Sequence, residues 1–162
     1  MIKARLLEPN RNKEIGLDLT LEAFREACVK FAQALEEAKV EGSKQKMRKC
    51  LNGDIYYKVR EETKLPTVLA QNAADVAIEA YRSYKDRKKK RKKATFPSFK
   101  RLRSFRLDKR GFRLIDSDNR YRFLISLRLI TGRVVIPLEA LEEHYPYKML
   151  EEVMKGEWLV KS

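Results

Sequence analysis

Between Arg82 and Arg110 the chain carries 15 lysines and arginines against two aspartates, a net of +13. The 81 residues before this tract hold 14 basic and 13 acidic side chains, and the 52 after it hold eight of each. Nearly all of the chain's +14 therefore sits in under a fifth of its length. Such a concentration suits a polyanion, whose phosphates it would neutralise with release of condensed counterions, giving strong and salt-sensitive binding. The tract has two parts. Lys88, Lys89, Lys90, Arg91, Lys92 and Lys93 form an unbroken run, whereas Lys100, Arg101, Arg103 and Arg106 are interleaved with Phe99 and Phe105, with Phe96 just upstream. Rings alternating with cations suit RNA, whose bases stack on aromatic faces while its phosphates are clamped. The same spacing suits a strand with its phenylalanines turned to a core; the arginines opposite face outward in either case.

Other chemistry is poorly supplied. Cys28 and Cys50 are too far apart for a CxxC pair and read as buried, reduced thiols. With one histidine, His144, the four close ligands of a zinc site are missing. Asp116-Ser117-Asp118-Asn119 resembles an acidic metal loop but is ordinary hairpin-turn chemistry. The pairs Glu142-Glu143 and Glu151-Glu152 read as solvated helix faces, and a two-metal nuclease would need three or four converging carboxylates. No phosphate-binding glycine loop is present. The expectation is a chain without catalytic residues, metal or cofactor.

These residues need a scaffold, and 162 residues suffice for a proper core. The hydrophobic share of 43% is ordinary for a folded domain, while the charged share of 37% is well above the usual ~25%. No apolar run approaches a membrane span or a signal peptide, so no membrane partner and a cytoplasmic setting are expected.

Residues 1–7 predict a short strand ending at Glu8-Pro9-Asn10, and residues 10–16 a polar loop. Thr20 is placed to cap a helix whose stripe is Leu21, Phe24, Cys28, Phe31 and Leu35. Ser43 caps a second helix, residues 54–62 form a third, and Pro66 opens a fourth with Leu69, Ala73, Val76, Ala80 and Tyr84 on one face. That helix should fray between Lys85 and Lys93, where like charges repel. Pro97 forbids helix beyond. Residues 103–107, 112–115, 121–130 and 133–136 predict strands, residues 138–145 and 146–154 helices, and residues 157–160 a last strand. In the third run Tyr121, Phe123, Ile125, Leu127 and Leu129 should face inward, with Arg122, Ser126 and Arg128 outward. The fold class is α+β: an OB-like antiparallel β-barrel over 1–10 and 95–162, interrupted by a helical insertion over 17–93.

Read together, KARLLEP at the start, LPxxLAQxA over Leu65 to Ala73, the AYRSY entry into the basic run, and FPSFK with SFRL beyond it closely resemble the N-terminal half of the TnpB (OrfB) proteins of insertion sequences. These are compact RNA-guided nucleases related to type V CRISPR effectors. The resemblance covers essentially the whole chain. It implies a wedge-type, OB-like barrel interrupted by a helical recognition region, together holding a structured guide RNA and reading a short DNA motif beside the target. It places Gln71, with Thr67 one turn earlier, on the helix that faces that flanking duplex, and glutamine can read adenine bidentately. Lys100, Arg101, Arg103 and Arg106 match the family's basic positions around the FPxF and SFR segments. The family's nuclease follows the barrel, and the chain ends before its GxDxG strand and CxxC zinc ribbon, so no cleavage is expected. An incomplete sheet would leave an edge open to self-association. The alternative is a protein–protein accessory module of a transposase, docking an acidic partner through its basic arm; a third reading makes Asp116 and Asp118 a cryptic metal-dependent nuclease.

Overall fold

The computed structural model describes residues 5–7, 9–90, 93–118, 120–139 and 145–155. Its first helix, α1, spans Arg11–Glu37 and is capped by Asn10, whose side chain accepts from the Lys13 N–H at 3.1 Å. The segment expected to be polar loop is therefore helix, and Thr20 lies inside it rather than at its cap. The reason is tertiary. Gly16 and Thr20 are buried beneath the turn of a distant hairpin, where a Cβ on Gly16 would stand 2.8 Å from Thr131 Oγ1. The Thr20 hydroxyl donates to the Gly16 carbonyl at 2.6 Å and accepts from the Ile130 N–H at 3.1 Å.

The other helices are α2 (Lys44–Leu51), α3 (Asp54–Thr63) and α4 (Thr67–Lys89). Ser43 caps α2 by accepting from the Lys46 N–H, as expected, and Pro66 immediately precedes α4, where its missing N–H costs nothing. Phe24, Cys28, Phe31 and Leu35 of α1 pack with Leu69, Ala73, Ala77 and Tyr81 of α4 in one core. The small alanines let the helices approach closely enough for Cys28 Sγ to donate to the Ala73 carbonyl at 3.5 Å. The buried face of α4 is turned slightly from the expected stripe, so Val76 and Ala80 are only half-buried. The helix ends at Lys89, where the cationic run repels itself.

From Lys93 to Gly111 the chain is neither helix nor strand. The strand expected over 103–107 does not form, because Phe99, Leu102, Phe105 and Leu107 do not keep the strict alternation a strand requires. All four pack on the helical core, and Phe105 and Leu107 also reach a second core of Leu127, Leu129 and Ile136. Arg25 of α1 donates from Nε to the Leu102 carbonyl at 2.7 Å, satisfying an acceptor that a neighbouring strand would otherwise take. This strap also runs back along α4. Phe96 meets Tyr84 edge-on at 5.5 Å, Arg106 meets Glu79 at 2.9 Å, and Arg110 meets Gln71 at 2.8 Å.

The sheet comprises β1 (Arg5–Leu6), β2 (Phe112–Asp116), β3 (Phe123–Leu129) and β4 (Gly132–Glu139). Its order is β1-β4-β3-β2, antiparallel throughout, and it is open among the described residues. Arg5 faces Glu139 and Leu6 faces Leu138, so the four helices lie between strands of one sheet. Gly132 opens β4 at φ +119°, a conformation that favours glycine in the tight β3–β4 turn. Phe123, Leu127 and Leu129 are buried as expected, but Tyr121 lies ahead of β3 and is exposed, Ile125 is half-buried, and Ser126 is buried and accepts from Arg133 Nη1 at 3.3 Å. The helix expected from Leu138 is corrected at its start, since Leu138 and Glu139 belong to β4; residues 140–144 lie outside the described ones. The last helix, α5 (Tyr145–Met154), packs Leu150 on Phe123 and Leu138. The strand expected over 157–160 also falls outside the described residues, among which no helix is long and apolar enough to cross a membrane.

Candidate nucleic-acid interface

The cations are delivered by two elements, the end of α4 and the strap. Lys88, Lys89 and Lys90 are exposed at the end of α4, and Lys93 is exposed where the strap begins; Arg91 and Lys92 lie outside the described residues. The Lys88 ammonium stands 5.6 Å from the Tyr84 ring centre, close enough for a cation–π contact. Lys85 and Lys89 approach Glu41 at 3.3 and 3.8 Å, and the Lys85 hydrogen bond, with Lys89's charge, holds the Glu41 carboxyl below its ordinary range. On the strap, Lys100, Arg101 and Arg103 are exposed and make no salt bridge among the described residues. Arg106 differs. It pairs with Glu79, which also takes Lys44 at 3.3 Å; burial lifts Glu79, but the hydrogen bonds from Arg106 and Lys44 outweigh it and leave the carboxyl low.

The aromatic half of the expectation is corrected at Phe99. It is only 6% exposed and belongs to the helical core, so it does not offer a free face to a base. Phe105 is half-buried with its ring 6.3 Å from Phe24, and Phe96 is half-buried against Tyr84. The rings anchor the strap while the cations between them face outward.

Thr67 and Gln71 are both exposed on α4. The Thr67 carbonyl accepts from the Tyr56 hydroxyl at 3.1 Å. Gln71 lines a cleft of about 460 Å³ between the α2–α3 junction and α4, whose walls include Asn52, Tyr56, Tyr57, Asp75 and Arg110. Tyr57 is 63% exposed there, and Arg48 grips Asp75 through two hydrogen bonds of 2.7 and 2.6 Å. Arg110 closes the strap end of the cleft. Its guanidinium holds Asp108 at 2.6 Å and donates to Gln71 Oε1 at 2.8 Å. The Arg110 hydrogen bond keeps the Asp108 carboxyl below the usual range. Sequence reasoning missed Tyr57, Arg110 and Arg25. For Arg110 a signal existed, since an aspartate opening a turn two residues before an arginine can bind both its backbone and its side chain.

The remaining candidates are dispersed. Cys28 is buried and burial pushes its thiol up to about 12, far from a nucleophile's range. Asp116 faces Arg122 at 3.5 Å, and no group of three or more metal-capable side chains occurs among the described residues. His144 and the pair Glu142-Glu143 lie outside them. Compared with protein-family models and with curated proteins, the chain matches none.

Proposed function

We propose that the chain is a nucleic-acid-binding lobe of TnpB-like character, without catalytic activity of its own, that holds a structured guide RNA by its phosphates and contacts target-adjacent DNA through the Gln71 face of α4. On this reading the four strands belong to an OB-like barrel and α1–α4 to its recognition insertion. One observation carries the proposal. The strap anchors its apolar side chains in two cores and holds out Lys100, Arg101 and Arg103, exposed and without a salt bridge among the described residues. Cations left free of carboxylates on a braced segment retain their full capacity for phosphate. With the rings inside, binding by the strap is to the backbone and is indifferent to base stacking.

Replacing Lys100, Arg101 and Arg103 together by alanine is expected to lower the slope of log affinity against log salt by about two to three units on folded RNA. Arg106→Ala, which also frees Glu79, is expected to change it less than any of the three. An unchanged slope in the triple variant removes the strap from the interface. Equal affinity for folded RNA and for heparin at matched charge instead favours docking to an acidic protein.

A further inference from the structure

We infer that Arg110 is a positioning residue that fixes the amide of Gln71 so that its NH2 donor is presented to a nucleobase edge in the α4 cleft. The inference rests on the reading of Gln71 as a DNA contact and changes what that contact can recognise. A guanidinium has donors and no acceptor, so Arg110 Nη2 at 2.8 Å can engage only the oxygen of the Gln71 amide. The amide cannot flip without bringing two NH donors together. Its Nε2 is left with no partner among the described residues, whereas Oε1 is already engaged.

Arg110 is itself held. Its backbone N–H donates to Asp108 Oδ1 at 2.9 Å, and its Nε and Nη2 donate to Oδ2 at 3.1 and 2.6 Å. The turn is closed by the Gly111 N–H donating to the Asp108 carbonyl at 2.8 Å, and Gly111 packs against Leu107 and Val68, where a Cβ would clash with Leu107. The orienting group is thus part of a short, carboxylate-locked turn, while Gln71 alone would be a free rotor on an exposed helix face. Arg110 takes one of the two lone pairs of the Gln71 oxygen and leaves the NH2 group wholly free to donate. The ligand class that fits is a base edge offering an acceptor: a purine N7 or thymine O4 in the major groove, or a purine N3 or pyrimidine O2 in the minor groove.

The test is a selection of bound duplexes from a pool with a short randomised window, using the full chain, followed by measured affinities for the selected duplex and for one with the preferred pair changed. For the wild type a preferred base pair is expected, with discrimination of about tenfold or more. Arg110→Ala and Gln71→Met should each flatten preference at the same pair, and the double variant should lose no more than Gln71→Met alone, since Arg110 acts through Gln71. Arg110→Lys, which restores one donor, should recover part of it. Replacing the preferred purine by its 7-deaza or 3-deaza analogue should abolish the preference in the wild type and leave Arg110→Ala unmoved. Full discrimination in Arg110→Ala, or additive losses in the double variant, overturns the positioning role while Gln71 remains a reader. Absence of any preferred pair in the wild type overturns the Gln71 reading and this inference with it.

Discussion

Thr20 ties together two parts of the chain that are far apart in sequence. Its hydroxyl is buried, gives its proton to a carbonyl one turn back in α1, and takes the Ile130 N–H at the tip of the β3–β4 hairpin. Thr20→Val keeps the shape and leaves that N–H without its acceptor, which should cost about 1–3 kcal/mol. A urea titration measures it, and Thr20→Ser should recover most of the loss; a Val variant as stable as the wild type would mean that the hairpin N–H finds another partner. From sequence, a hydroxyl just ahead of an apolar stripe reads as a cap, and nothing local distinguishes a cap from a link to residue 130. Cys28 was legible by the same local reasoning, because an apolar filler needs only its own helix face. Phe99 was not. Both a stacking ring and a core ring accept the same FPSFK spacing, and only the position of the α1–α4 core decides between them.

At the scale of the element, the strap is the least regular segment and the best anchored. Its backbone gains no ladder, so its order depends on apolar side chains, Phe96, Phe99, Leu102, Phe105 and Leu107 among them, and on the Arg25 clamp at Leu102. Arg25→Ala removes the donors to a half-buried carbonyl without touching a single strap residue. It should speed tryptic cleavage after Lys100, Arg101 and Arg103 several-fold, because the protease needs an extended, detached backbone and local opening sets the rate. Mass mapping of early fragments reads this out; an unchanged pattern would show that the apolar anchors alone hold the strap. Phe99→Ala serves as the comparison, with a global loss of about 3–5 kcal/mol instead of a local one. The helices could be placed from sequence wherever a cap or proline marks them, as at Ser43 and Pro66. The strap could not, since its three-, three- and two-residue apolar spacing matches neither a helix nor a strand, and it takes its path from the two cores it joins.

For the whole molecule the governing fact is the imbalance between 37 lysines and arginines and 23 carboxylates. Four carboxyls placed against cations carry lowered pKa values: Glu41 through Lys85, Glu62 through Lys30, Asp108 through Arg110, and Glu79, where Arg106 and Lys44 overcome the effect of burial. A carboxyl whose folded pKa lies below its unfolded value adds stability that is complete above the unfolded value and is lost as pH falls through the folded one. The ordinary values are 4.5 for the glutamates and 3.8 for the aspartate, so the loss belongs to the range below them. Protonation acts twice there, cutting the ties of α4 and the strap to their neighbours and raising an already large positive charge. With a single histidine in the chain, the urea midpoint should be nearly flat from about pH 8 to pH 5 and fall steeply below about pH 4.5. Added salt should recover part of the fall by screening the repulsion between exposed cations, but not the part due to lost hydrogen bonds. Inorganic polyphosphate should recover more than sodium chloride of equal ionic strength if the cations on α4 and the strap act as one surface. Equal recovery by the two salts would mean that the charges are dispersed, and the phosphate-binding reading would lose its basis in the fold.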